Sequence, residues 1–174
     1  MGETMRFQTI ALSVTGLLFL THCAAPQAVN LKDAGISITF PSEDWKIETQ
    51  GSRDVVAALS GTEITLYISP IAETSLEMIN RDLAIKQTVY SITNSLMSAT
   101  IAAKEPLTVN GIDFYQIEFT GQTKGTPTVY LAGRAMVLRT ARGYLSLIFI
   151  GPVEEYRQFE SQLPSIINTI KLTE

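Results

Sequence analysis

From Gly35 onward the chain switches between a two-residue and a three-to-four-residue hydrophobic period, and the switches outline its elements. Ile36, Ile38 and Phe40 alternate with Ser37 and Thr39 as in a half-buried strand, and Pro41 ends the run because it cannot donate to a ladder. Ser42-Glu43-Asp44 is a turn, and a second short strand is expected over Trp45–Glu48. Val55–Leu59 and Ile64–Ser69 read as a strand pair around Ser60-Gly61-Thr62, closed by Pro70. The period then lengthens. Met78, Ile85, Val89, Ile92 and Leu96 form one helical stripe, widened by Leu76, Ile79 and Leu83, and Thr74 with Glu77 matches a capping box. A helix is predicted over Ser75–Met97.

Alternation returns at Ala102–Val109 and Ile112–Thr120, separated by Asn110-Gly111, the strongest hairpin signal in the chain. In the second of these strands Tyr115, Ile117 and Phe119 share one face, and Phe114, Gln116 and Glu118 the other. A polar turn over Gly121–Pro127 leads to a long strand, Thr128–Leu138. Arg142-Gly143 turns the chain into Tyr144–Ile150, which is apolar on both faces and suits a central strand covered on both sides. A last helix starts near Val153 with Tyr156, Phe159 and Leu163. Pro164 should kink or restart it, and Ile166, Ile167 and Ile170 continue its apolar face. Hairpin connections around two helices predict an α+β fold, an antiparallel sheet with the long helix and the C-terminal helix packed on its faces.

The N-terminus reads differently. Ile10–Cys23, IALSVTGLLFLTHC, is shorter than the about 20 apolar residues a membrane-spanning helix needs, and has the length of a signal-peptide core. Leu20-Thr21-His22-Cys23 resembles the bacterial lipoprotein box, although His22 stands where a small residue is usual. By that resemblance residues 1–22 are a signal peptide, and Cys23 carries the lipid, palmitate included, that anchors the protein. Residues 23–30 are then a lipidated tether and 31–174 a single domain. Two other readings are ordinary cleavage after Ala25, with Pro26 a poor residue just past the cut, and an uncleaved anchor, which the length opposes. Glu3 offsets Arg6, and a start at Met5 would give a shorter, properly basic leader.

Composition narrows the function classes. The net charge is −4 and stays there without residues 1–22, so the chain lacks the basic footprint of a nucleic-acid binder. Roughly 150 residues after the leader suit one domain with one core. Cys23 is the sole cysteine and His22 the sole histidine. Without the leader there is no His, and with Cys23 lipidated no free thiol, which removes His-dependent triads, Cys–His pairs and the usual zinc sets. There is no nucleophile elbow or P-loop, and Gly121–Gly125, GQTKG, lacks the Lys-Ser/Thr of a phosphate loop. Asp113 and Glu118 fall on opposite faces of one strand and cannot act together. Glu154 and Glu155 suit the first turn of a helix. No cofactor or metal site is expected.

Three residues stand out as partner-binding candidates. Arg139 and Arg142 could converge on an anion, whereas Arg134 faces the other way; a solvated strand end is the plainer reading and the preferred one. Trp45 reads first as a packed aromatic at the sheet edge, with an exposed anchor for a partner as the alternative. Tyr115 and Tyr130 invite the same two readings.

Gly35-Ile36-Ser37-Ile38-Thr39-Phe40-Pro41-Ser42 followed by Trp45 resembles the opening of PsbP-like domains. Tyr144–Ile150, a helix, and Ile166-Ile167-Asn168-Thr169-Ile170 resemble the close of the DcrB-type bacterial lipoproteins of the same fold group. The resemblance implies a sheet sandwiched between helices and no catalytic residue to carry across; members include a photosystem assembly factor and a small-GTPase-binding protein. The expectation is therefore a membrane-anchored, non-enzymatic accessory or protein-binding module of the cell envelope, with an envelope protein as partner. Its place would be the periplasmic face of the outer membrane in a Gram-negative cell. The alternative is a small-molecule or lipid carrier with a pocket between sheet and helix. An enzyme using carboxylates or arginine is a third, weaker class.

Overall fold

The computed structural model describes residues 25–50, 54–71 and 80–173. In chain order its elements are β1 (Gln27–Leu31), β2 (Ile36–Phe40), β3 (Trp45–Gln50), β4 (Asp54–Leu59), β5 (Thr65–Pro70), α1 (Arg81–Ser95), β6 (Met97–Ala103), β7 (Leu107–Val109), β8 (Ile112–Gln122), β9 (Tyr130–Thr140), β10 (Gly143–Pro152), α2 (Val153–Phe159), α3 (Leu163–Ile167) and β11 (Lys171–Leu172). The main sheet has the order β3-β4-β5-β10-β9-β8-β6, with β7 also paired to β8, and its ladders are antiparallel. A separate three-stranded sheet has the order β1-β2-β11.

The alternation of side chains sorts the main sheet into two faces. On one, Met136 and Leu138 of β9 and Leu145, Leu147 and Phe149 of β10 join Tyr156, Phe159, Leu163, Ile166 and Ile167 of the C-terminal helices and Ile36, Ile38 and Phe40 of β2 in the principal core. Full burial of such side chains contributes about 1.5–3 kcal/mol each. On the other face, Ile117, Phe119 and Ala135 pack beneath Ile92 and Leu96 at the end of α1. Helices therefore cover both faces, and β10, between β5 and β9, is apolar on each side for that reason. This is the PsbP-like α+β arrangement expected from the strand and helix order.

Local details depart from the expectations in instructive ways. The region read as a tether supplies β1 from Gln27, because Val29 and Leu31 pair along β2 (Val29 with Ile38, Leu31 with Ile36). The capping box at Thr74 and Glu77 lies outside the described residues. Within them, Asn80 caps α1, its side-chain oxygen accepting a hydrogen bond from Leu83 N at 2.9 Å. The helix stops at Ser95, with Leu96 already extended and Met97 opening β6. Leu83, expected on the apolar stripe, is exposed; the buried side is Ala84, Thr88 and Ile92. The expected strand 102–109 is two strands, parted around Lys104-Glu105-Pro106, where a proline cannot serve the ladder.

The hairpin and the proline restart behave as predicted. Val109 pairs with Ile112, and Asn110 and Gly111 have φ of 54° and 76°, the left-handed pair that a two-residue type I′ turn requires. Helix α2 gives way to a 3-10 turn at Glu160–Gln162, and α3 resumes with Pro164 in its first turn, where a missing N–H is harmless.

Candidate functional site: a groove between helix and sheet

Helix α1 covers only part of its sheet face, and a groove follows from that. Its C-terminal half lies over β6, β8 and β9, so the strip above β5 and β10 stays partly open. Ser91, Ile92, Ser95 and Leu96 of α1 form one wall; Thr65, Tyr67, Ile148 and Ile150 form the other; Phe119 and Leu131 lie at its base. The half-open space measures about 480 Å³, within the range of small-molecule sites. Its surface is mainly apolar, with serine and threonine hydroxyls and Glu63 at the margin. Register explains the lining. Thr65 pairs with Ile150 and Tyr67 with Ile148, so their side chains share the face that α1 leaves uncovered. Tyr67 is 43% exposed at the rim.

A second, smaller concavity of about 350 Å³ lies at the other end of α1, bounded by Arg81, Asp113, Tyr115, Arg139, Tyr144 and Leu172. Arg81 sits 4.7 Å above the Tyr115 ring and donates to its hydroxyl at 2.9 Å. The hydrogen bond to Tyr115, then that to Asp82, holds the guanidinium above its ordinary pKa. Arg139 joins Arg81 here because both face the α1 side. Arg142 does not join them: it lies beside Gly35 at the start of β2, on the opposite face, with its backbone N–H donating to Thr140 Oγ1 at 3.0 Å. Arg139 and Arg142 therefore do not converge, and Arg139 lies with Arg81 instead. A tight turn after Thr140 carries Arg142 across the sheet edge.

Arg134 faces away from Arg139 as read from the sequence, and it is structural. It lies cross-strand from Glu118 and bonds it at 2.8 Å and Glu160 of the 3-10 turn at 2.7 Å, while Lys104 reaches the same Glu118 oxygen at 2.6 Å. Burial pushes the Glu118 carboxyl up, but its hydrogen bonds to Lys104 and Arg134 and their charges together hold it below its ordinary value. Nearby Tyr156 is buried, which raises its pKa well above that of a free phenol.

Trp45 takes the packed of its two readings. It is 2% exposed, its ring 4.9 Å from that of Phe40 and 5.9 Å from that of Phe159, because β3 turns its first residue into the principal core. Asp113 and Glu118 do fall on opposite faces: Asp113 lines the Arg81 concavity and accepts from Thr108, whereas Glu118 binds Arg134. Cys23 lies outside the described residues. Among the described residues no group of three or more His, Cys, Asp or Glu could hold a metal ion, and no helix is long and apolar enough to cross a membrane. The groove-lining serines of α1 carried no chemical signal in the sequence. Only their place next to Ile92 and Leu96, at the edge of the apolar stripe, could have flagged them.

The fold has known counterparts although the sequence does not. No family model matches the chain, and no curated protein matches it in sequence. Among solved structures it is similar to cyanobacterial PsbP (CyanoP) from Synechocystis sp. PCC 6803, with a TM-score of 0.58 at 15% identity over 92% of this chain and 98% of that one. It is also similar to the Ran-binding protein Mog1p of Saccharomyces cerevisiae, with a TM-score of 0.53 at 13% identity over 86% and 96% of the two chains. A Pseudomonas aeruginosa protein described as a putative regulator gives 0.51 at 12% identity over 83% and 94%. At these identities the likeness establishes the fold, and function rests on the site.

Proposed function

We propose that the protein is a lipid-anchored, non-enzymatic binding or accessory module of the cell envelope, held at the membrane through Cys23. On this reading it acts through the groove between α1 and the sheet, on the periplasmic face of the outer membrane if the cell is Gram-negative. The observation that carries the binding role is the pre-formed, mainly apolar groove, in whose lining Glu63 is the one carboxylate, with no lysine, arginine or histidine beside it. Such a surface supplies contact area and shape without the paired acid and base that general catalysis uses. The lipoprotein-like Leu20–Cys23 supports the address, and β1 starts only four residues beyond Cys23. The yeast neighbour, a Ran-binding protein by name, supports a binding role for the fold, as does the DcrB-type resemblance.

In-cell crosslinking with affinity purification, comparing wild type with Cys23→Ser, tests the reading. One envelope protein recovered near stoichiometrically, and lost with the anchor, is the expected result. Reproducible turnover by the purified protein overturns it. The groove also favours a second reading, a carrier for a small apolar molecule, which a copurifying ligand in a native mass spectrum would support.

A further inference from the structure

The strand pairings locate the groove relative to the N-terminus. Gln27 pairs with Phe40 at the end of β2, and the turn after Phe40 leads to Trp45, which pairs with Leu59. Ser60 N–H then bonds Asp44 O at 2.9 Å, Leu59 N–H bonds Ile64 O at 3.0 Å, and Glu63 N–H bonds Glu155 at the start of α2 at 2.7 Å. These links stitch the beginning of β1, the β4–β5 turn and the end of β10 into one end of the molecule. Glu63, Thr65, Gly151, Pro152 and Ser95 put the groove at that same end. A chain of four residues reaches at most about 14 Å, so an anchor at Cys23 keeps this end against the bilayer.

From this placement we propose that the groove takes one acyl chain of a zwitterionic lipid from the membrane to which the protein is anchored. The proposal rests on the lipid-anchored reading above and deepens its carrier form. An acyl chain is matched by the apolar walls of Ile92, Leu96, Ile148 and Ile150, and by a space that is open on one side. The hydroxyls of Thr65, Ser91 and Ser95 at the margin suit ester and headgroup oxygens. At this end Glu154 is paired with Arg157, and Lys124 reaches the Asn94 carbonyl beside Ser95, but Glu43, Asp44, Glu63 and Glu155 outnumber that lysine, a balance that favours zwitterionic over anionic headgroups.

The test uses the full chain reconstituted in phosphatidylcholine vesicles containing a fraction of phosphatidylcholine with a diazirine in one acyl chain. After irradiation, labelled peptides are located by mass spectrometry and vesicle association is read by flotation. Label on the peptides holding Ser91–Leu96 and Ile148–Gly151 is expected. Ser91→Trp, at an exposed rim position, denies the chain about two methylenes of contact and lowers that label about tenfold. Tyr130→Lys, exposed and outside the groove lining, leaves it unchanged. Protein that floats but carries no label in the groove, or equal label in wild type and Ser91→Trp, overturns the proposal while leaving the anchor intact. Protein that does not float overturns the anchored reading instead. In that event diazirine palmitate added in solution decides the groove by the same peptide readout, with unlabelled groove peptides refuting acyl binding.

Discussion

Gly133→Ala should destabilise the protein although it adds one methyl group to a strand. Gly133 pairs with Phe119 on one side and Ile150 on the other, in the middle of the main sheet. A Cβ at this position would stand 2.9 Å from Phe119 Cε1, and closer still to Phe119 Cζ and the Phe149 carbonyl oxygen. The carbonyl belongs to β10 and cannot retreat without opening a ladder. The ring is 3% exposed and packed with Ile92 and Leu96, so it can yield only toward the groove and at the expense of those contacts. Overpacking of this kind costs about 1–3 kcal/mol. The restricted unfolded chain returns about 0.4–1 kcal/mol, which leaves a net loss of about 1–2 kcal/mol.

Urea unfolding is the assay, and the midpoint should fall at unchanged slope. The melting temperature should drop by about 2–4 °C per kcal/mol in a domain of this size. Gly125→Ala is the control, since nothing lies within 4 Å of its Cβ position, and it should be near neutral. Phe119→Leu in the Gly133→Ala background removes the ring edge but not the carbonyl, so the double variant should be more stable than the sum of the single changes predicts. An unchanged or raised midpoint for Gly133→Ala, or strict additivity with Phe119→Leu, refutes the close-packing argument.

Other consequences are equally direct. Trp45→Ala should cost about 3–5 kcal/mol in a denaturation experiment, because the ring fills the core between Phe40 and Phe159. Asn80→Ala should cost about 1 kcal/mol and Asn80→Gly only a few tenths, the signature of a helix cap, read from the same urea midpoints. The Glu118 carboxyl has a depressed pKa in the folded state, so its contribution is present above the unfolded value and is lost as pH falls through the folded one. Stability measured from neutral pH down through the acid range should therefore decline less steeply in Glu118→Gln than in wild type. Equal slopes would show that the Lys104–Glu118–Arg134 network does not link folding to pH.

The elements that could be read from the chain are those governed by neighbours in sequence. Ile36, Ile38 and Phe40 alternate, Asn110-Gly111 supplies two left-handed residues, and Pro164 lacks an N–H; each acts within one or two turns of backbone. The apolar stretch Tyr144–Ile150 even revealed that its strand is covered twice, since both its faces are apolar. The same reasoning misjudged Leu83 and the end of α1, where packing on β6, β8 and β9 decides which side of the helix is buried and where it stops. It also missed β1, whose few residues become a strand only because β2 is there to pair with them.

The candidate site lay beyond this local logic altogether. Ser91, Tyr67 and Ile148 carry no motif, and they meet because α1 covers β10 only in part and leaves the adjoining strip of β5 open. Arg81 and Arg139, 58 positions apart, meet for a similar reason, while Arg139 and Arg142, only three apart, are separated by a turn across the sheet edge. By itself the sequence determined the order and kind of the elements, the acidic character and a lipoprotein-like N-terminal segment, because backbone propensity, charge and short-range pattern are local properties. The tertiary structure alone decided which side chains share a face, which of the two readings of Trp45 holds, and that the groove lies toward the end of the sheet where β1 begins. Those relations are set by strand register and helix placement, which sum contacts between residues far apart in the chain.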